Sequence, residues 1–128
     1  MFVLGNNILY PLALYASLQM AEFFGTTAVA HKLEEFCHSP IFGLKSPDPV
    51  WILGQNESQV YQRLQMLGLR LSYIELYNPD ILAQLFESIF CVQNLMLLLA
   101  ERHGLEELQY VTMKDVLKAS SDIIYERT

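Results

Sequence analysis

Phe2-Val3-Leu4-Gly5-Asn6-Asn7-Ile8-Leu9-Tyr10-Pro11-Leu12-Ala13-Leu14 opens the chain. A short apolar run stops at a glycine and two asparagines, and a helix then begins with Pro11 in its first turn, where the missing N–H does no harm. Strand, tight turn and helix in this order make the first βα unit of an α/β domain.

Gly25-Thr26-Thr27 closes the first helix, and residues Thr27 to Glu35 are expected to form a shorter one with His31, Glu34 and Glu35 on a solvated side. Ser46-Pro47-Asp48-Pro49 marks a turn before Val50-Trp51-Ile52-Leu53, a second buried strand that ends at Gly54. Trp51 is read there as a buried strand residue and not as a stacking platform. Val60, Leu64 and Leu67 recur at helical spacing and predict a helix over Ser58 to Leu67, stopped by Gly68. Leu71-Ser72-Tyr73-Ile74-Glu75-Leu76 alternates as an edge strand does. Asn78-Pro79-Asp80 then starts a long helix to about His103, with Gly104 as its C-terminal stop. Three strands separated by helices predict an α/β fold, a three-layer sandwich with a small, mostly parallel, flavodoxin-like sheet. In such sheets ligands gather beyond the carboxyl ends of the strands, here Gly5-Asn6-Asn7, Gly54-Gln55-Asn56 and Tyr77-Asn78.

At 128 residues and 52% hydrophobic, the chain can bury a real core as a single domain. Its net charge of −6, from 14 acidic residues against 8 Lys and Arg, argues against nucleic acid and anionic lipid as partners. Cys37 and Cys91 have neither a disulfide framework nor zinc-ligand spacing, which predicts reduced thiols and a cytoplasmic setting. Ile81 to Ala100 has the length of a membrane span, but Gln84, Glu87, Gln93 and Asn94 interrupt it. Such groups are costly in hydrocarbon, so a buried amphipathic helix is expected. No metal or other cofactor is expected either: Glu35 and His38 form one Glu-x-x-His pair, where a di-iron bundle needs two. His103 beside Gly104 suits the negative end of a helix dipole.

The first helix is apolar except for one stripe, Tyr15, Gln19 and Glu22, which lie within roughly 60° of one another at 100° per residue. Glu22 therefore shares a face with groups able to hydrogen-bond it. Tyr10-Pro11-Leu12-Ala13-Leu14, then Glu22, then Glu35-Phe36-Cys37-His38-Ser39-Pro40 resembles the second sugar isomerase (SIS) domain in the isomerase half of glucosamine-6-phosphate synthase and related double-SIS proteins. There a Tyr-Pro-x-Ala-Leu helix ends in Glu, and Glu-Leu-Lys-His-Gly-Pro follows at a matching interval. Weaker similarity runs through Val50 to Leu53, the long helix and Lys114-Asp115-Val116-Leu117-Lys118.

The resemblance implies an SIS-type fold over residues 1–128, as the C-terminal half of a longer double-SIS protein, and a phosphosugar ligand such as fructose 6-phosphate or glucosamine 6-phosphate. It implies an aldose-ketose isomerase or deaminase in which Glu22 moves a proton between C1 and C2. His38 would help to open the ring from a neighbouring subunit, and Lys118 would close over the ligand. Gln19, Asn6, Asn7, Glu35 and Lys114 fall at positions that would contact it. One base over two adjacent carbons, an acid-base group at the ring oxygen and a cation near the enediolate are what such an isomerisation needs. Departures are equally specific. Gln19 stands where the aminating enzymes carry a lysine, Ser39 replaces a glycine, Asn6-Asn7 replaces a glycine-bearing turn, and the Asp-x-Pro-Arg before the tail is missing. The Ser/Thr loop that takes the phosphate in the family has no counterpart, with Thr26-Thr27 and Ser120-Ser121 only weak substitutes. These departures keep open a second class, a non-catalytic phosphosugar-sensing or dimerisation module. In either class a homodimer, or pairing with an upstream SIS half, is expected.

Overall fold

The computed structural model describes residues 1–45, 47–54, 58–76 and 78–125. Four strands form one all-parallel sheet in the order β2-β1-β3-β4: β1 (Phe2–Gly5), β2 (Val29–His31), β3 (Pro49–Gly54) and β4 (Arg70–Glu75). Helices α1 (Leu9–Phe24) and α4 (Ile81–Arg102) cover one face. The other face is covered by α2 (Leu33–His38), a 3-10 turn at Pro40–Gly43 and α3 (Ser58–Met66). The chain ends in a helical turn, α5 (Gln109–Thr112), and the helix α6 (Lys114–Tyr125). This is the three-layer α/β sandwich expected from the sequence.

Strand alternation divides the core. Val3 and Leu53 point to the α1/α4 side, and Leu4, Val50 and Ile52 to the α2/α3 side, all buried. Phe36 of α2 is fully buried there, tilted against the ring of Phe2. The turn after β1 must be tight, since a Cβ at Gly5 would collide with the backbone carbonyl of Leu9. Asn7 takes a positive φ of 49° in that turn. The Asp80 side chain caps α4, accepting from the N–H groups of Leu82 and Ala83 at 2.9 and 2.8 Å. Gly104, with φ 63°, follows the last turn of α4 as the sequence predicts.

Three expectations are corrected. Residues Thr27 to Glu35 do not form one helix: Val29–His31 is a fourth strand, and the helix is only Leu33–His38. Gly25 reverses the chain with φ 62° and brings Val29 beside β1, where its N–H donates to the Met1 carbonyl at 3.1 Å. An unpaired edge of β1 is thereby satisfied, a demand from across the sheet that outweighs local helical spacing in so short a segment. The long helix is amphipathic in a different sense from that expected. It buries Gln84, Ser88, Val92 and Met96 but exposes Leu82, Phe86, Phe90, Leu97 and Leu98. Among the described residues it is one helix long and apolar enough to cross a membrane, with 22% of its most apolar window buried. Trp51, finally, is only partly buried and lines a cavity. β4 is an edge strand, as its alternation implied.

Candidate functional site

Glu22 lies in the last turn of α1, and Gln19, one turn earlier, donates from Nε2 to Glu22 Oε2 at 2.9 Å. The stripe read from the sequence is therefore a real row, and Tyr15 above it accepts a hydrogen bond from Gln93 of α4 at 3.1 Å. In a parallel sheet a helix that follows a strand runs back toward the strands' amino ends. Glu22 accordingly sits roughly 20 Å, at 1.5 Å per residue, from the Asn6-Asn7 turn at which α1 begins. The expected gathering of site residues beyond the carboxyl ends does not include it.

What Glu22 faces instead is a groove of about 560 Å³ between the end of α1 and the tail, walled by Phe23, Gln109, Met113, Leu117 and Ser120. Gly25 makes the tail's approach possible. Its positive φ suits glycine, and a Cβ there would lie 2.9 Å from Gln109 Cγ. The groove thus has an apolar body and a few polar groups, among them a carboxylate held by an amide.

The other predicted residues are spread over the molecule. His38 ends α2 on the opposite side of the sheet and is exposed. Glu35 pairs with Lys32 Nζ at 3.2 Å on the same helix surface, and that ammonium lies 5.6 Å from the centre of the Tyr10 ring. Asn6 Oδ1 accepts from the Leu33 N–H at 3.1 Å, which ties the β1 turn to the start of α2. Asn7 is exposed in the same turn. Lys114 and Lys118 are exposed on α6, with Lys118 following a residue of the groove wall. Of the residues predicted from the sequence, one chain brings together Gln19 and Glu22, with α6 alongside. It does not bring His38, Glu35, Asn6 or Asn7 to them. Gln55, Asn56 and Tyr77, expected at strand ends, lie outside the described residues. Partial burial pushes the Cys37 thiol above its ordinary value.

Gln109 as a wall residue is not legible from the sequence, because a four-residue helix carries no periodicity. A comparison with models of known protein families and with curated proteins finds no match to this chain.

Proposed function

We propose that the chain is a sugar-phosphate-binding domain of the SIS kind that takes an open-chain hexose phosphate, such as fructose 6-phosphate or glucosamine 6-phosphate, in the groove at the end of α1. The observation that carries this reading is the Gln19–Glu22 pair opening onto that groove. A carboxylate oriented by an amide can accept hydrogen bonds from sugar hydroxyls, and placed over adjacent carbons it can carry a proton from one to the other. Gln19 holds Glu22 by donation and has no amine to form a Schiff base, so amino transfer has no nucleophile here.

Isomerase turnover needs more than this chain assembles. His38 would have to arrive from a second copy, and among the described residues the groove wall holds no cation for the enediolate. The separation of Glu22 from His38 across the sheet favours a second reading, binding without turnover. Both readings predict that fructose 6-phosphate raises the melting temperature, since a ligand held by the native state alone stabilises it. Glu22→Gln decides between them by deuterium exchange at C1 of fructose 6-phosphate, the carbon next to its C2 carbonyl. In an isomerase, exchange is present and stops with the substitution while binding persists. In a sensor, exchange is absent before it. No thermal stabilisation by any hexose phosphate would overturn the binding function itself.

Pairing of two copies belongs to the same proposal, and the outer surface of α1 and α4 is the face that supports it. Leu82, Phe86, Phe90, Leu97 and Leu98 of α4 and Leu18 of α1 are each about three-fifths exposed. Together they present on the order of 600 Å² of apolar surface, at the upper limit for a monomer and approaching the ~800 Å² that each partner gives a stable interface. Two copies of net charge −6 repel at a distance, and α4 adds Glu87 and Glu101 on its exposed side with Arg102 at its end, so burial of the apolar side chains has to outweigh that repulsion. This pairing leaves both His38 side chains on outward surfaces, which is a further reason to favour binding over turnover.

A further inference from the structure

A second cavity, of about 610 Å³, lies on the same side of the sheet beneath the last turns of α4. Its floor is Trp51 of β3 with Arg70, Ser72 and Ile74 of β4, and its opposite wall includes Leu99, Arg102 and His103. We propose that this cavity binds an anion carrying a flat aromatic group, with the ring against Trp51 and the charge between Arg70 and Arg102.

Three observations lead there. The first is the strand pattern. Arg70, Ser72, Ile74 and Leu76 all project to the α1/α4 side, and Leu76 is buried under α4 while Ser72 and Arg70 are exposed. A strand face meant to be covered by a helix would stay apolar to its end. Here it turns polar where the cavity opens.

The second is charge. Among the described residues the cavity lining contains Arg70, Arg102 and His103 and no carboxylate, in a chain whose acidic residues outnumber Lys and Arg by 14 to 8. Among the described residues neither arginine forms an ion pair. Asp48 is the carboxylate beside the strand entry, and its Oδ2 accepts from the Lys45 N–H at 2.9 Å. The dipole at the end of α4 accounts for Arg102 and His103. It does not account for Arg70, which comes from a strand. Two open guanidinium forks are suited to phosphate or carboxylate oxygens.

The third is the body of the cavity. Phe24, Ile74, Leu95, Leu99 and the indole of Trp51 make its surface mainly apolar, and its size is that of a small-molecule site. A sugar phosphate has the charge but no flat apolar face for this wall, so the cavity is separate in chemistry from the Glu22 groove. The proposal stands whether or not that groove takes a sugar.

Trp51 is the single tryptophan of the chain, so its fluorescence reports on this cavity directly. Adenosine monophosphate is expected to change that fluorescence saturably, with adenosine, inorganic phosphate and fructose 6-phosphate each at least about tenfold weaker. Arg70→Gln and Arg102→Gln should each weaken the nucleotide about tenfold, the loss expected of one charge-assisted contact, while Lys45→Gln leaves it unchanged. 2-Naphthoate tests the carboxylate form of the same class, and its binding should show the same dependence on both arginines. Both arginine side chains are exposed, and circular dichroism of the variants checks that the fold is kept. Should either glutamine variant unfold, Arg70→Lys and Arg102→Lys replace it, with weakening still expected from loss of the fork. Adenosine or fructose 6-phosphate binding as tightly as the nucleotide, full affinity in both arginine variants, or no saturable signal together with no heat of binding would each overturn the proposal.

Discussion

On one face of the sheet Phe36 is fully buried with Leu4, Val50, Ile52 and Leu64 beneath two short helices. On the other, the long helices α1 and α4 bury Val92 and Met96 but leave Phe90 61% exposed. The short-helix layer seals its centre, while Phe42 and Met66 at its margins are each 84% exposed. The long-helix side holds both the Glu22 groove and the Trp51 cavity, and carries an apolar outer surface as well. Where a layer is closed, side chains serve packing alone; where it is left open, carboxylates, guanidinium groups and aromatic rings are available for ligands or for a second chain. Substitutions at three places test that division.

The largest effect is expected on the closed face. Phe36→Ala empties a site with no exposure and removes the ring that packs on Phe2, and truncations of this kind cost about 3–5 kcal/mol. That is a large share of the stability of a domain this size. Urea unfolding should show the midpoint falling steeply or the protein failing to fold. A loss below about 1 kcal/mol would mean that this face is not the sealed one.

A moderate effect is expected where the tail meets α1. Gly25→Ala forces a Cβ into φ 62°, at a cost of roughly 1–2 kcal/mol. It also presses on the Gln109 side chain, which is 2.9 Å from the new atom, and that chain can yield by rotating. The expected result is a fold intact by circular dichroism, destabilised by about 1–2 kcal/mol, with faster proteolysis between α4 and α6. If the Glu22 groove holds a hexose phosphate, its thermal stabilisation should fall in the same variant. An unchanged tail would separate the groove from Gly25.

The sequence makes the same division only in part. β1, β3, the long helix and its Asp80 and Gly104 ends are legible because each is set by local chemistry: a run of apolar residues, a glycine turn, a capping carboxylate. The Tyr15, Gln19 and Glu22 row is legible for the same reason, as three residues at helical spacing on one helix. β2 is not, because three residues carry no period and their strand state depends on the open edge of β1. Nor is the destination of Glu22: its helix position follows from spacing, but the wall opposite comes from a tail more than 80 residues away. His38 illustrates the same limit. Its interval from Glu22 along the chain is countable, whereas the strand between them, which carries α2 to the other side of the sheet, is visible only once Val29–His31 is paired.

The smallest effect on folding is expected on the open face, and it sharpens the contrast because the residue type is the same. Phe90→Glu replaces a side chain that gains little from the monomer's core, so unfolding at a concentration too low for pairing should change by no more than about 0.5 kcal/mol. The two-fold pair proposed for this surface should respond far more strongly. A carboxylate near the middle of the stripe would lie close to its own copy across the axis, unpaired and partly desolvated, on chains that already carry net charge −6. Light scattering coupled to gel filtration should find a dimer in the wild type and a monomer in the variant, with Phe86→Glu behaving alike. A wild-type monomer at high concentration would show that α4 keeps this surface for something other than a second copy. A variant dimer would move the interface elsewhere on the molecule.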